Sequence, residues 1–249
     1  MTDKVSFIKQ VTKALGRSKM IRPAENYDTA IFEDRHLASV NAAQAITDAD
    51  SMSASLIEQM VQSADEAGWK VHRTDNFEES AELIVSICKD HNANSILRSA
   101  HSVLTDIPLD SALTASGAVL EVTEHSEESN IQQIQKSKSA AFNADVGITG
   151  VDYAIAETGT VVLYPRAGVS RLVSLAPPTH IAVLRPGDVL ASLDELFAIQ
   201  RDDFLNGKLQ GSMNLISGPS KTADIEGTTV TGIHGPLEVH LIIIENNKS

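Results

Sequence analysis

Residues 52–98 read MSASLIEQMVQSADEAGWKVHRTDNFEESAELIVSICKDHNANSILR, and this stretch decides the fold class. Met52, Leu56, Ile57, Met60, Val61 and Ala64 recur at helical spacing, and Gly68 stands where a helix C′ residue belongs. A short strand over 69–73 follows. Asn76 with Glu79 makes a capping-box-like start to a helix over 77–90, and 95–98 is a second strand. Helix, strand, helix, strand is the alternation that gives a mainly parallel sheet flanked by helices, an α/β fold.

Outward from that core, the N-terminus predicts a short helix. Thr2 or Asp3 caps it, Val5, Ile8, Val11 and Leu15 share a face, and Gly16 ends it. Residues 17–50 have weak periodicity and include Pro23, which predicts an irregular extended arm. The organisation expected is therefore a helix and arm over 1–50 and one α/β domain over 51–249. Toward the C-terminus, the pattern predicts a strand over 118–122, a helix over 130–139 and a hairpin of 153–157 with 160–164 about Thr158-Gly159. A strand over 180–185, a turn at Pro186-Gly187 and a helix over 192–200 follow, the helix with Leu193, Leu196 and Phe197 inward. Residues 213–216 and 239–244 are further strands. Leu241, Ile242, Ile243 and Ile244 in a row suit a strand covered on both faces.

Composition narrows the function. Apolar residues are 42% of the 249, enough for a core, while aromatics are 4%, so aliphatic packing on a helix-covered sheet fits. The net charge of −13 repels phosphate backbones and anionic lipid, so neither nucleic acid nor a membrane surface is expected as a partner. No stretch approaches the ~18–20 apolar residues of a membrane span. Charges at Asp3, Lys4, Lys9 and Lys13 interrupt the N-terminus, so a cytoplasmic protein is expected. The single cysteine, Cys88, cannot hold an iron–sulfur cluster, and its apolar neighbours Leu83, Ile84 and Ile87 make it a buried hydrophobe. The eight histidines show no metal-ligand spacing, so no metal site and no cofactor are expected in this chain.

Two segments are dense in Gly, Ser, Thr and acidic residues. The first is 147–160, GITGVDYAIAETGT; the second is 216–228, ISGPSKTADIEGT, continuing to Gly232-Ile233-His234-Gly235-Pro236. In a parallel sheet, loops at the carboxyl ends of strands line the ligand crevice. Glycine there lets backbone N–H groups approach an anion, and hydroxyls add neutral donors. Ser217, Gly218, Ser220 and Thr222 with the cation Lys221 suit a carboxylate or a phosphate; a structural turn fits the same composition equally well. Glu157, with Thr158, Gly159 and Thr160 after it, ends an apolar run, where partial desolvation would raise its pKa toward that of a base or nucleophile. The bland alternative is a strand-end carboxylate that accepts from backbone N–H groups. Asp224 and Glu226 would share one face of an extended segment and chelate a cation, or cap a helix start, a role Thr222 could also fill. His180 and His234 lie near these loops, His234 in a rigid turn that also suits a structural role. Arg166 and Arg171 could each clamp a carboxylate or lie on the surface. Neither a Gly-x-Ser-x-Gly elbow nor a Gly-x-Gly-x-x-Gly fingerprint is present.

Three blocks together resemble the lactate utilisation protein C family, the LUD domain: Asp145 through Thr160, Arg171-Leu172-Val173-Ser174-Leu175 with Pro177-Pro178-Thr179-His180-Ile181, and Ser217 through Glu226 followed by Gly232 through Pro236 and the apolar final strand. The resemblance is strong from Asp145 to Ile244 and looser from Ser51 to Ala144. It implies a sugar-phosphate isomerase/CoA-transferase-like fold and a part in oxidising L-lactate to pyruvate. It also implies two iron–sulfur partner proteins that hold the redox centres, and a small carboxylate as ligand. Lys221 stands where family members often carry Arg, which weakens a bidentate clamp. Two other readings remain open. One is a free-standing CoA-transferase- or isomerase-like enzyme using Glu157; the other is a scaffold that forms a homo-oligomer through the 17–50 arm.

Overall fold

The computed structural model describes residues 4–14, 34–123, 131–223 and 229–245. Its elements run α1 (Lys4–Ala14), α2 (Arg35–Ser51), α3 (Ser53–Ala67), β1 (Lys70–Thr74), α4 (Phe77–Asp90), β2 (Ser95–Arg98), α5 (Ser102–Asp106), α6 (Leu109–Ala115), β3 (Val119–Val122) and α7 (Ile131–Asn143). They continue with β4 (Val146–Gly150), β5 (Tyr153–Ile155), β6 (Thr160–Leu163), α8 (Leu172–Leu175), β7 (Thr179–Leu184), β8 (Val189–Leu190), α9 (Leu193–Leu205), β9 (Asn214–Ile216), β10 (Lys221–Ala223), β11 (Thr229–Thr231) and β12 (Glu238–Ile244).

The predicted alternation holds. Gly68 ends α3 in the left-handed region at φ 101°, and the Asn76 side chain accepts from Glu79 N–H at the start of α4. Six strands form one sheet in the order β1-β12-β7-β4-β2-β3, every pairing parallel. β12 shows why its apolar run is continuous. Leu241 and Ile243 enter the core on one face, with α2, α3 and α9; Ile242 and Ile244 enter the core on the other, with α4, α5 and α6. Each such buried aliphatic contributes about 1.5–3 kcal/mol. A second sheet, β8-β5-β6-β9, joins the first core, and β5 and β6 form the expected antiparallel hairpin.

Three expectations are corrected. The stretch expected to continue as an extended arm is helical over Arg35–Ser51; residues 15–33 lie outside the described residues. Ala38, Ala42, Ala45 and Ala49 are buried at helical spacing, and α2 packs on α9 through this stripe, whose small side chains give little hydrophobic contrast. Phe197 is 51% exposed, and Leu196 and Ile199 carry the inward face of α9 instead. The third concerns the glycine-rich loops, taken up below.

Candidate functional site

The sheet reverses its winding between two neighbouring strands. From β2 the chain moves outward to the edge strand β3, whereas from β4 it moves the other way, to β7 and then β12. In an open parallel sheet, the crevice forms outside the carboxyl ends of such a pair. His101 follows β2 and Asp152 follows β4, and they meet there, His101 Nε2 to Asp152 Oδ1 at 3.3 Å. Val103 N–H donates to His101 Nδ1 at 3.3 Å, which assigns the imidazole proton to Nε2, facing the carboxylate. Gly150 makes room for the ring: a Cβ on it would overlap Nδ1 and Cγ of His101 and Cγ1 of Val103.

Asp152 is fixed on three sides. Its Oδ2 accepts Tyr164 N–H at 2.7 Å, and its Oδ1 takes Arg166 Nη1 at 2.9 Å besides His101. Burial opposes its ionisation, but His101, the Tyr164 N–H and Arg166 together outweigh burial and hold the carboxyl below its ordinary value. Arg166 is held in turn by its loop: the Gly168 carbonyl accepts Ala100 N–H at 2.7 Å and the Thr123 hydroxyl at 2.5 Å, tying the loop to the ends of β2 and β3. Arg98, buried at the end of β2, makes a bidentate pair with Asp110, both contacts 2.6 Å. Nearby Asp188 is pushed up to about 6, mainly by burial, with Arg185 and His101 opposing and Asp152 adding.

Beside Asp152 the rim opens into a hollow of about 260 Å³. Arg166 and Lys208 bring positive charge to it, Asp152 and Asp203 negative charge, and Gln200 and Gln210 neutral donors. This suits a small polar anion, held by two cations and oriented by amides.

The sequence-predicted residues lie elsewhere. Ser220 N–H donates to Pro236 O, and Leu237 N–H to Pro178 O, so the Ser217–Ser220 loop sits where β7 and β12 begin. The Ser217–Ser220 loop, and with it the Thr158-Gly159 turn, therefore lies at the amino rim of the sheet, while Gly150 and Asp152 of the first segment lie at the carboxyl rim. The hydroxyls of Thr158, Thr160 and Ser217 form a chain with 2.7 Å steps, so the two segments do meet. Gly159 and Gly218 lie against α3 where a Cβ would overlap its backbone, and Lys221 Nζ reaches the Ala67 carbonyl at 3.5 Å. These groups close the C-terminal end of α3. Ser217, Gly218, Ser220 and the exposed His234 border another hollow of about 260 Å³, with Leu175 and Leu215 in its wall.

Glu157 does not line that hollow. It is exposed and accepts Leu193 N–H at the start of α9, so the burial expected to raise its basicity is missing. Arg171 is exposed and precedes α8; Thr222 lies in β10, paired with Val230. Asp224 and Glu226 lie outside the described residues. His180 is wholly buried, its Nε2 2.8 Å from Thr149 Oγ1, with burial pushing its pKa down to about 3. Sequence reasoning passed over His101, Asp152 and Lys208. Asp152 stood inside the quoted motif, and its place directly after a buried strand was the signal that could have found it.

A family model described as the LUD domain matches residues 57–244. Lactate utilization protein C of Shouchella clausii is 39% identical over 112 residues, 45% of this chain and 49% of that protein, so the chain spans about half the length of that relative. Lactate utilization protein C 1 of Bacillus mycoides is 30% identical over 77% of this chain and 80% of its own. The Escherichia coli protein YkgG is 26% identical over 99% of this chain and 100% of its own. Among solved structures, a DUF162 family protein from Deinococcus radiodurans shares the fold, with a TM-score of 0.51 and 22% identity over 77% of this chain and 98% of that one. With one family model covering most of its length, the chain belongs to the LUD domain family.

Proposed function

We propose that the protein serves lactate utilisation as a non-redox subunit of a system that oxidises L-lactate to pyruvate, and that the hollow beside Asp152, past the carboxyl end of β4, holds the small carboxylate. The names of the relatives support the role. The observation that carries the site is the pairing of Arg166 and Lys208 on a polar hollow beside an ionised, immobilised Asp152. One cation engages the substrate carboxylate, and Asp152 stands ready to accept from the C2 hydroxyl. His101 acts behind Asp152 as a positioning residue, since it does not line the hollow.

Oxidation of lactate releases two electrons and two protons, and in this reading the electrons pass to partner proteins. Its one cysteine, Cys88, is buried and its thiol is pushed up to about 12 by that burial, so it does not fit a thiolate-held cluster. Two iron–sulfur partner proteins are the expected acceptors.

Deleting the gene in its host should abolish growth on L-lactate, and the intact gene should restore it; unchanged growth would overturn the role. Calorimetry with purified protein and pyruvate or L-lactate tests the site. Arg166→Ala should weaken binding ~10–100-fold, as loss of a charged hydrogen bond implies. Undiminished binding in an Arg166→Ala/Lys208→Ala double variant would move the ligand elsewhere.

A further inference from the structure

Histidines that no sequence spacing connects converge at the amino rim of the sheet, away from the proposed substrate crevice. His91 is the C-cap of α4, and Glu238 and His240 are the first and third residues of β12. Residues two apart in a strand project from the same face. The Nε2 atoms of His91 and His240 reach one oxygen, Glu238 Oε1, at 2.9 and 2.8 Å, and the ligating atoms of the three residues all lie within 4.8 Å of one another. Behind them, His72 of β1 stacks on His240 with ring centroids 5.3 Å apart, and its Nε2 lies 3.0 Å from His240 Nδ1.

We propose that His91, Glu238 and His240 bind a borderline divalent cation of the zinc class, leaving a fourth position for water or an outside donor. Two imidazoles and a carboxylate with one open position is a donor set that suits zinc, whereas magnesium prefers oxygen ligands throughout. The residue behind the ligand is in place as well. The tautomer that frees His240 Nε2 for a metal carries its proton on Nδ1, where His72 Nε2 can accept it. The carbonyl end of α4 adds negative potential beside His91. The side chain of His240 is 6% exposed, those of Glu238 and His91 26% and 29%, so one ligand is anchored and the other two remain open to an arriving ion. Lys70 Nζ sits on the same Glu238 oxygen at 2.5 Å and is well exposed. It supplies positive charge where the ion would sit, so it competes with the ion and must swing away into solvent when one binds.

The test uses the full chain stripped with EDTA and titrated with zinc chloride at neutral pH, with bound metal counted after gel filtration. One equivalent should bind and survive excess magnesium. His91→Ala and His240→Ala should each lose it, and His72→Ala should weaken it ~10–100-fold. His36→Ala, an exposed histidine on α2, should change nothing. Lys70→Ala should tighten binding about tenfold by removing a like charge in a partly solvated site. That gain cannot be imitated by misfolding. Absence of bound zinc in the parent, full occupancy in the His91→Ala/His240→Ala double variant, or weaker binding in Lys70→Ala would each overturn the proposal. None of these readouts depends on lactate.

Discussion

Replacing Gly150 with alanine tests whether the carboxyl rim is built around the His101 ring. Gly150 does not lie in the left-handed region, so alanine suits its backbone, and glycine in a strand costs roughly 0.5–1 kcal/mol relative to alanine. By backbone alone, Gly150→Ala should stabilise. The added Cβ, however, would lie under 3.0 Å from Nδ1 and Cγ of His101 and from Cγ1 of Val103, and both residues are buried. The ring must therefore move, giving up its bond from Val103 N–H and its contact with Asp152. Overpacking of this kind costs about 1–3 kcal/mol. Urea unfolding at constant m should show a net loss of about 1–2 kcal/mol after the backbone gain is subtracted. A double-mutant cycle isolates the cause. In a His101→Ala background most of the clash is gone, so the two substitutions should couple by about 1 kcal/mol or more, with only the Val103 contact left. Additivity within ~0.3–0.5 kcal/mol, or a Gly150→Ala protein as stable as its parent, would refute the reasoning.

The Arg98–Asp110 pair should respond asymmetrically, because the side chain of Arg98 is 9% exposed and that of Asp110 51%. Asp110→Ala strands a buried guanidinium and should cost about 2–4 kcal/mol, whereas Arg98→Met leaves a solvated carboxylate and should cost about 1 kcal/mol or less in urea unfolding. Asp188 is pushed from 3.8 up to about 6, so the unfolded chain releases this proton first and stability falls as pH rises between those values. Discounted for solvent access, Asp188→Asn should gain about 1–2 kcal/mol above pH ~6 and almost nothing near pH ~4; a difference that does not vary with pH would contradict this. Trp69 Nε1 donates to the Gly159 carbonyl at 3.0 Å from a buried position, so Trp69→Phe should lose about 1–2 kcal/mol in thermal or urea unfolding. Thr160→Val should cost about 1 kcal/mol of stability and spare pyruvate binding, while Asp152→Asn keeps an acceptor for Tyr164 N–H but sets an amide donor against His101 Nε2–H and Arg166, so urea unfolding should show a loss of about 1–3 kcal/mol and calorimetry weaker binding.

The elements legible in the sequence are those whose order is local. Residues 52–98 carry strong periodicity and their own caps, so α3, β1, α4 and β2 follow from side chains a few positions apart. α2 escaped because its buried stripe is alanine, which contrasts little with the polar face around it. Phe197 misled because Leu193, Leu196 and Phe197 fit one helical face, whereas the buried face runs through Leu196 and Ile199, and Phe197 lies to its side. The rim to which each loop belongs was not legible at all. It depends on the parallel pairing of β12 with β7 and of β7 with β4, between segments far apart in the chain. The same holds for His101, which is matched to a missing Cβ on Gly150, and for His91, which meets Glu238 only after α4 and β12 pack.

The motif from Asp145 to Thr160 is easily credited to a single site, but its path divides the work. β4 delivers Gly150 and Asp152 to the carboxyl rim. β5 then leads away to the Thr158-Gly159 turn against α3, and β6 returns to Tyr164, whose N–H closes on Asp152. Thr158, Gly159 and Thr160 thus hold the far end of a hairpin whose near end fixes the carboxylate. Glu157, at the far end and in water, caps α9. A motif can therefore be dense in polar residues at both ends while only one end faces a crevice at the winding reversal. The direction of the strands, not the composition of the loops, decides which end that is.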